Sequence, residues 1–174
     1  MNHGGSLGRM RSSLFTKKPL PVEGKVKAVH VYDFDNTLFR CPTPNQRLWT
    51  PETVNFLCEE HALIGGGWWH DKSILEATGE GLDAEETRAW EGWWNENVVT
   101  LVNLSNREPG VLTVLMTGRG RERFEPVISR MVASRKLEFD LIALKDSPRQ
   151  NTLNYKFEAI EEILRNFEFV EELR

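Results

Sequence analysis

The 174-residue sequence has little of what secreted scaffolds, membrane proteins and nucleic-acid-coating proteins need. It has two cysteines, Cys41 and Cys58, too few for a disulfide framework or a four-thiolate zinc site. It has no apolar run close to the roughly 18 residues of a membrane span, so we expect no membrane partner. The 22 Lys and Arg residues face 26 Asp and Glu residues, which excludes a polybasic surface as the main feature. These absences indicate an intracellular protein, cytoplasmic or nuclear.

The first 25 residues differ in composition from the rest of the chain. Glu23 is their first acidic residue, and they contain the basic residues Arg9, Arg11, Lys17 and Lys18. We expect residues 1–25 to form a disordered leader, with organelle targeting by the basic residues as the less favoured alternative. The remaining sequence has ordinary globular composition and predicts one folded domain over residues 26–174.

Three apolar segments have the character of buried strands. They cover residues 26–32, 111–116 and 139–144, and polar or turn-forming residues follow each of them. Nearly continuous apolar runs are typical of strands that are buried on both faces. Between the last two strands lies a helical pattern whose apolar side consists of Phe124, Val127, Ile128 and Met131. Alternating strands and helices predict an α/β fold with a Rossmann-like parallel sheet and right-handed crossovers.

Residues 41–110 interrupt this alternation and predict a helical insertion, or cap, after the first strand. All six tryptophans lie within it. Asp83 and Glu86 form a capping box that predicts a helix. Its apolar stripe would contain Trp90, Trp94, Val98 and Leu101. We therefore expect a tryptophan-rich cap with its own small core, on a sheet domain made of residues 26–40 and 111–174.

Polar side chains with the chemistry of phosphate and metal sites follow the predicted strands, where α/β sheets place their ligands. Asp33 and Asp35 leave the first strand together, and two carboxylates this close need a cation such as Mg²⁺ between them. After the second strand, Thr117 and Gly118 offer a hydroxyl and an amide to phosphate oxygens. Lys156 opens a predicted helix and should point along the sheet edge. That helix has an apolar stripe of Phe157, Ile160, Ile163, Leu164 and Phe167.

Other residues near these strand ends are candidates for contacts with a substrate. Arg119 and Arg121 start a basic segment beside Thr117, although such a segment is more often a solvated helix face. Trp68 and Trp69 follow three glycines in a predicted loop, where a half-exposed ring could stack on a substrate. Lys145 also ends a strand, so the spacing leaves open whether Lys145 or Lys156 is the lysine of the site.

These motifs resemble those of the haloacid dehalogenase (HAD) superfamily. The match is strongest at residues 31–39, where an apolar strand runs into Asp-x-Asp-x-Thr. Over about residues 26–174 the sequence also resembles the HAD-type domain of the Swiss Army Knife RNA-repair-like proteins. The residues that carry this closer resemblance are Pro44-Asn45, Leu48-Trp49, Gly66-Gly67-Trp68-Trp69, Gly79-Glu80-Gly81, Trp93-Trp94-Asn95-Glu96 and Leu115-Met116-Thr117-Gly118-Arg119.

The resemblance implies a Mg²⁺-dependent phosphatase that works through an aspartyl-phosphate. Asp33 would be the nucleophile and a metal ligand. Asp35 would protonate the leaving oxygen and later activate water, and its backbone carbonyl would also contact the metal. Thr117, Gly118 and Lys156 would bind the transferred phosphoryl group. Such a mechanism is physically sound, because phosphoryl transfer depends mostly on positioning and charge stabilisation.

By the same resemblance, the substrate would be a phosphorylated nucleic-acid end such as RNA. Two alternatives stay open: a phosphatase for a small metabolite or phosphoprotein, and an inactive domain that serves as a binding module. The superfamily's fourth acidic motif has no clear counterpart, because Glu168, Glu171 and Glu172 precede or begin the next expected strand. We therefore expect that the C-terminal strand is truncated and that further domains follow in a longer protein.

Overall fold

A computed structural model describes residues 14–15, 26–59, 67–78, 92–147, 150–167 and 172–174 of the chain. Within these residues the strands are β1 (Leu14–Phe15), β2 (Ala28–Asp33), β3 (Val111–Gly120), β4 (Leu141–Lys145) and β5 (Glu172–Leu173). The α-helices are α1 (Pro51–Cys58), α2 (Lys72–Glu76), α3 (Glu96–Ser105), α4 (Arg121–Ser134) and α5 (Thr152–Asn166). A short 3-10 helix covers Trp68–His70. The fold is α/β, as the sequence predicts.

The strands form one sheet in the order β1-β4-β3-β2-β5. Strands β2, β3 and β4 are parallel, and β5 adds to β2 in the same direction. Strand β1 is antiparallel to β4 and lies in the segment that we expected to be a disordered leader. Because Asp33 is in register with Met116, the carboxyl ends of β2 and β3 lie side by side. This edge of the sheet is where the predicted site residues meet.

Alternate residues of β3 enter two cores on opposite faces of the sheet. Leu112, Val114 and Met116 pack against α5 through a core that includes Val29, Tyr155, Ala159 and Ile163. Leu115 belongs to the second core, which contains residues of α3, α4 and the insertion. The chain therefore has helices on both faces of a mostly parallel sheet, the layered arrangement expected of this fold class.

Two helices bury only part of the apolar stripe that their spacing predicts. Helix α5 buries Ile163, and Phe167 after its end is also buried, but Phe157 is 62% exposed. Helix α3 buries Val99 and Val102, whereas Leu101 is 53% exposed. In both helices apolar residues occupy more than one face, so spacing alone did not fix which face is buried.

The insertion is closed at its base by a clasp between residues 38–40 and 93–95. The Arg40 N–H donates to the Trp93 carbonyl over 2.7 Å, and the Asn95 N–H donates to the Leu38 carbonyl over 3.0 Å. Between these two bonds Phe39 pairs with Trp94 in an antiparallel bridge, and their rings meet edge to face at 5.1 Å. Trp94 is buried, as predicted. Trp90 and the predicted capping box lie outside the described residues.

Helix α3 follows the clasp and belongs to the sheet domain rather than to the cap. The Ser105 hydroxyl at its end lies 2.7 Å from His30 Nδ1 and 2.6 Å from the Tyr32 hydroxyl, both on β2. Helix α3 therefore contacts the sheet, although it lies within the predicted cap of residues 41–110. Within the described residues, no helix is long and apolar enough to cross a membrane.

Candidate active site

The carboxyl ends of β2 and β3 border a cavity of about 350 Å³. Sheets of this kind place their ligands at this edge. The cavity is lined by Asp33, Asp35, Asn36, Trp69, His70, Gly118, Arg119, Lys145, Thr152 and Lys156. It therefore holds both predicted carboxylates and both candidate lysines, and it includes one predicted tryptophan and one predicted arginine.

The turn after β2 directs both carboxylates towards the cavity. Asn36 has a φ of 58°, in the left-handed region that asparagine tolerates better than most residues. Its N–H donates to the Phe39 carbonyl over 2.7 Å, and the Leu38 N–H donates to the backbone carbonyl of Asp33 over 3.1 Å. These bonds fold the chain back immediately after the strand, so Asp35 lies beside Asp33 instead of continuing along the sheet.

Asp33 forms an ion pair with Lys156 across 123 residues of sequence. The Lys156 ammonium donates to Asp33 Oδ1 over 2.7 Å, and both side chains are partly exposed. Helix α5 supplies the lysine, and it begins after Asn151, whose side chain accepts the N–H groups of Leu153 and Asn154. The pairing places a positive charge beside the predicted nucleophile.

Asp35 accepts hydrogen bonds from three side chains. The Thr117 hydroxyl donates to Oδ2 over 2.8 Å. Arg119 Nε donates to Oδ1 over 2.8 Å, and the Cys41 thiol donates to the same oxygen over 2.9 Å. Both carboxylate oxygens are therefore engaged by donors, and Thr117 is oriented towards Asp35 in this arrangement.

Arg119 is the most buried charged group of the cavity wall, with 3% of its surface exposed. Besides Asp35, its guanidinium donates to the Trp69 carbonyl over 2.9 Å and lies 4.7 Å from the centre of the Phe124 ring. Trp69 belongs to the insertion, so Arg119 connects the sheet domain, the predicted acid and the cap. The sequence predicts Arg119 near the phosphate site but gives no sign of its pairing with Asp35.

Cys41 is a contact of Asp35 that we did not predict. Its side chain is buried, and burial followed by the Asp35 negative charge raises the pKa of the thiol well above its usual range. A thiol in this state is a hydrogen-bond donor and a poor nucleophile. The sequence offers no signal for this donor role.

Gly118 allows α5 to approach β3 at the cavity. A Cβ atom at this position would lie 2.5 Å from Thr152 Cγ2, closer than real atoms approach. Lys145 is nearly fully buried, and its ammonium donates to the Gln150 carbonyl over 3.2 Å and lies 3.5 Å from the Thr152 hydroxyl. Thr152 also lines the cavity, and the sequence did not indicate it.

Two predicted substrate contacts do not line the cavity. Arg121, the first residue of α4, lies 2.8 Å from Glu125 and 3.7 Å from Asp146. The Trp68 indole donates to the Pro42 carbonyl over 2.8 Å, and its ring meets Trp49 edge to face. These contacts hold the side chains within the protein and away from the lining residues.

The described residues contain no group of three or more His, Cys, Asp or Glu side chains that could hold a metal. Mg²⁺ nevertheless needs only one or two carboxylates when waters and substrate phosphates complete its shell. In the described hydrogen bonds Asp33 uses Oδ1, which leaves Oδ2 for a cation, whereas both Asp35 side-chain oxygens are engaged. The site therefore fits Mg²⁺ through the Asp33 carboxylate and does not fit it through the Asp35 carboxylate.

Residues 41–174, more than three quarters of the chain, match a family model described as HAD domain family 1 in Swiss Army Knife RNA repair proteins. The match begins after β2, so it does not include Asp33 and Asp35.

Among curated proteins, the chain is 28% identical over 161 residues to "Uncharacterized protein YMR265C" of Saccharomyces cerevisiae. The aligned part covers 87% of this chain and 34% of that protein, so the chain spans about a third of the relative's length. Among solved structures, a chain of "Structure of the Pnkp1/Rnl/Hen1 RNA repair complex" aligns with a TM-score of 0.48 and 21% identity. That alignment covers 94% of this chain and 39% of the other.

Proposed function

The chain belongs to HAD domain family 1 of the Swiss Army Knife RNA repair proteins, and from this premise we propose that it is a Mg²⁺-dependent phosphohydrolase that forms an aspartyl-phosphate on Asp33. The observation that carries the proposal is the position of Asp33. Its carboxylate ends a parallel strand inside a cavity and lies 2.7 Å from the Lys156 ammonium. A carboxylate so placed can divide one difficult displacement into two easier steps.

In the first step an Asp33 oxygen attacks the phosphorus of the substrate, and the bond from phosphorus to the leaving oxygen breaks. Lys156 offsets the negative charge on the phosphoryl oxygens, and Asp35 gives a proton to the leaving oxygen. In the second step Asp35 takes a proton from water as that water attacks the phosphorus. The acyl–phosphate bond breaks, inorganic phosphate leaves, and the Asp33 carboxylate is restored.

The contacts of Asp35 suit the second of these steps. The hydrogen bonds from Thr117, Arg119 and Cys41 hold the Asp35 carboxylate in a fixed position, from which it can take a proton from water. For the first step one of these donors must release Asp35 so that the carboxyl group can carry a proton towards the leaving oxygen. Thr117 is the donor that the sequence predicts to bind phosphate, and on release its hydroxyl would bind a phosphoryl oxygen.

Mg²⁺ bound by Asp33 and the Asp35 backbone carbonyl would supply charge stabilisation on the phosphoryl oxygens. On the protein side, Lys156 supplies one positive charge at the same place. Gly118 has no Cβ, so the Thr152 side chain can approach the backbone at this wall of the cavity. Phosphorylated RNA ends are the proposed substrates, and the description of the family supports this choice.

A small phosphate ester is the second candidate substrate, because Trp69 and His70 of the insertion close part of the cavity wall. A wall of this kind excludes water from a small bound molecule. Turnover of a 3′- or 5′-phosphorylated oligonucleotide, compared with that of its mononucleotide, separates the two candidates. A much higher kcat/KM for the oligonucleotide supports the RNA-end substrate, whereas preference for the mononucleotide supports the small ester.

The first test measures hydrolysis of a generic phosphate ester with and without Mg²⁺. Asp33→Asn should abolish hydrolysis and the ³²P-labelled phosphoenzyme without loss of folding. Asp35→Asn should leave the nucleophile in place and lower kcat by roughly 10²–10⁴-fold, the usual contribution of general acid–base catalysis. Asp71→Asn is the matched control, because this exposed aspartate caps α2 and asparagine caps equally well. Unchanged turnover in Asp33→Asn, or no turnover in the parent chain, would overturn the proposal.

A further inference from the structure

The two side-chain oxygens of Asp35 have different surroundings. Oδ1 accepts from Arg119 Nε over 2.8 Å and from the Cys41 thiol over 2.9 Å, and Arg119 Nη2 lies 2.8 Å from the same oxygen. Both of these side chains are buried. Oδ2 accepts from the Thr117 hydroxyl over 2.8 Å. Oδ1 is therefore bound by two buried side chains, one of them charged, whereas Oδ2 has one partner among the described residues.

Cys41 reaches Asp35 because the chain folds back after β2. The Phe39 carbonyl accepts the Asn36 N–H over 2.7 Å and the Cys41 N–H over 3.0 Å, so one carbonyl joins both sides of the turn. Phe39 is fully buried and belongs to the clasp at the base of the insertion. Cys41 therefore binds Asp35 from the side of the clasp, whereas Arg119 binds it from β3.

Two donors on one oxygen restrict the carboxylate more than a single donor would. The last torsion of an aspartate side chain is broad, so a carboxylate held by one donor can swing about that hydrogen bond. With Cys41 and Arg119 both donating to Oδ1, such a swing leaves a buried donor without its partner, which is unfavourable by the whole desolvation free energy of that group. Freeing Oδ2 breaks only the hydrogen bond from the neutral Thr117 hydroxyl. Oδ2 is therefore the oxygen that the protein releases at the lower free-energy cost.

We propose that Cys41 is a positioning residue of the reaction: together with Arg119 it fixes Oδ1 of Asp35, so that Oδ2 is the oxygen that transfers the proton. The inference rests on the proposed function, which makes Asp35 the general acid and base. In the first step protonated Oδ2, released by Thr117, gives its proton to the leaving oxygen, which keeps the electron pair of its broken bond to phosphorus. In the second step Oδ2 regains a proton from the attacking water. Cys41 is not among the described residues that line the cavity, so it acts through Asp35 and not on the substrate.

The test compares phosphate esters whose leaving groups need the proton to different degrees. 4-Nitrophenyl phosphate releases a stable phenolate, whereas ethyl phosphate releases an alkoxide that must be protonated. The measured quantity is kcat/KM, because it covers the steps up to the departure of the alcohol and not the hydrolysis of the phosphoenzyme. Cys41→Ala lacks the donor and should lower kcat/KM for ethyl phosphate about tenfold, a part of the roughly 10²–10⁴-fold that general acid catalysis contributes. For 4-nitrophenyl phosphate the loss should be less than about threefold, because this leaving group needs little protonation.

Rescue by a conservative variant separates the hydrogen bond from packing. Cys41→Ser keeps a donor and should retain most of the kcat/KM for ethyl phosphate. The matched control is Cys58→Ala, because Cys58 is the other cysteine and lies half-buried at the end of α1; it should turn over both esters like the parent. Thermal melts check that each variant folds. If Cys41→Ala does not fold, Cys41→Val fills the space without a donor and should show the same unequal loss.

An infrared measurement tests the hydrogen bond without turnover. In the Cys58→Ala variant the Cys41 thiol is the only one in the chain, because the sequence has two cysteines. Its S–H stretch should lie at a lower frequency than that of an unbonded thiol, and the frequency should rise when Asp35→Ala is added. A frequency that is the same with and without Asp35 would overturn the contact and the role assigned to Cys41.

The outcomes separate this inference from the proposed function. Hydrolysis that depends on Asp33, with equal losses for the two esters in Cys41→Ala, would overturn the role of Cys41 alone. A loss for ethyl phosphate that Cys41→Ser does not restore would also overturn it, because packing would then be the cause. A parent chain that hydrolyses neither ester, although its S–H stretch shows the hydrogen bond to Asp35, would overturn the proposed function and with it the catalytic consequence drawn for Cys41.

Discussion

Replacing Arg119 with methionine should destabilise the protein far more than loss of an ordinary arginine ion pair. Methionine keeps much of the side-chain volume but removes the charge and the hydrogen bonds to Asp35 and Trp69. Breaking a buried ion pair by removing one partner costs roughly 3–5 kcal/mol, because the other charge is left without compensation. The Asp35 side chain is 24% exposed and can regain some hydration, so we expect about 2–4 kcal/mol.

Urea denaturation followed by circular dichroism measures this loss, and a thermal melt should fall by roughly 2–4 °C for each kcal/mol. Arg165→Met is the matched control, because Arg165 pairs with Glu161 one turn away on the exposed face of α5. That variant should lose only about 0.3–0.5 kcal/mol. A double-mutant cycle with Asp35→Asn should give a coupling free energy of about 1–3 kcal/mol. If Arg119→Met costs no more than Arg165→Met, or if the coupling is absent, the pair does not hold the site together.

Two further predictions concern the packing and the protonation of the site. Gly118→Ala should lower the free energy of unfolding by about 1–3 kcal/mol, because the new Cβ would lie 2.5 Å from the Thr152 side chain. The control is Gly120→Ala, whose Cβ would meet no atom within 4 Å and which should change the free energy of unfolding by less than about 0.5 kcal/mol. Equal urea midpoints for the two variants would contradict the close approach of α5. Because burial raises the pKa of Cys41, the native state keeps the thiol proton where the unfolded state loses it, so stability should fall as the pH rises above about 9. Urea midpoints should therefore decrease from about pH 8 to about pH 10, and less steeply in Cys41→Ala; an equal slope in both would show that another group causes the change.

The sequence predicts the site best where a short motif coincides with a strand end. Asp33, Asp35 and Gly118 reach one cavity because parallel strands that are adjacent in the sheet end at the same edge. Lys156 joins them although 123 residues separate it from Asp33. The sequence left open whether Lys145 or Lys156 is the lysine of the site, and both side chains line the cavity.

The contacts among these residues were not predictable in the same way. The pairing of Arg119 with Asp35 depends on how the turn after β2 aligns with the end of β3, and this tertiary geometry leaves no trace in local spacing. The exposed Phe157 shows the same limit for helices, because α5 has apolar residues on two faces and only the packed structure selects one. The extent of the cap is hard to predict for a related reason. Helix α3 follows the tryptophans without interruption in sequence, yet its last residue contacts β2.

The clasp between residues 38–40 and 93–95 makes the insertion a closed loop with fixed ends, which has a consequence for how this protein can vary. The two ends of the insertion are joined by backbone hydrogen bonds, which do not depend on the side chains between them. Chain entropy penalises a longer flexible loop only slowly, by about 0.6 kcal/mol for each doubling of length. Insertions or deletions between the anchors should therefore be tolerated, provided that the Trp69 carbonyl still reaches Arg119, that Cys41 still reaches Asp35 and that Leu75 still fills the core. The segment can be exchanged as a module, and a homologous or designed replacement would change what the cavity admits while the strands beneath keep their register.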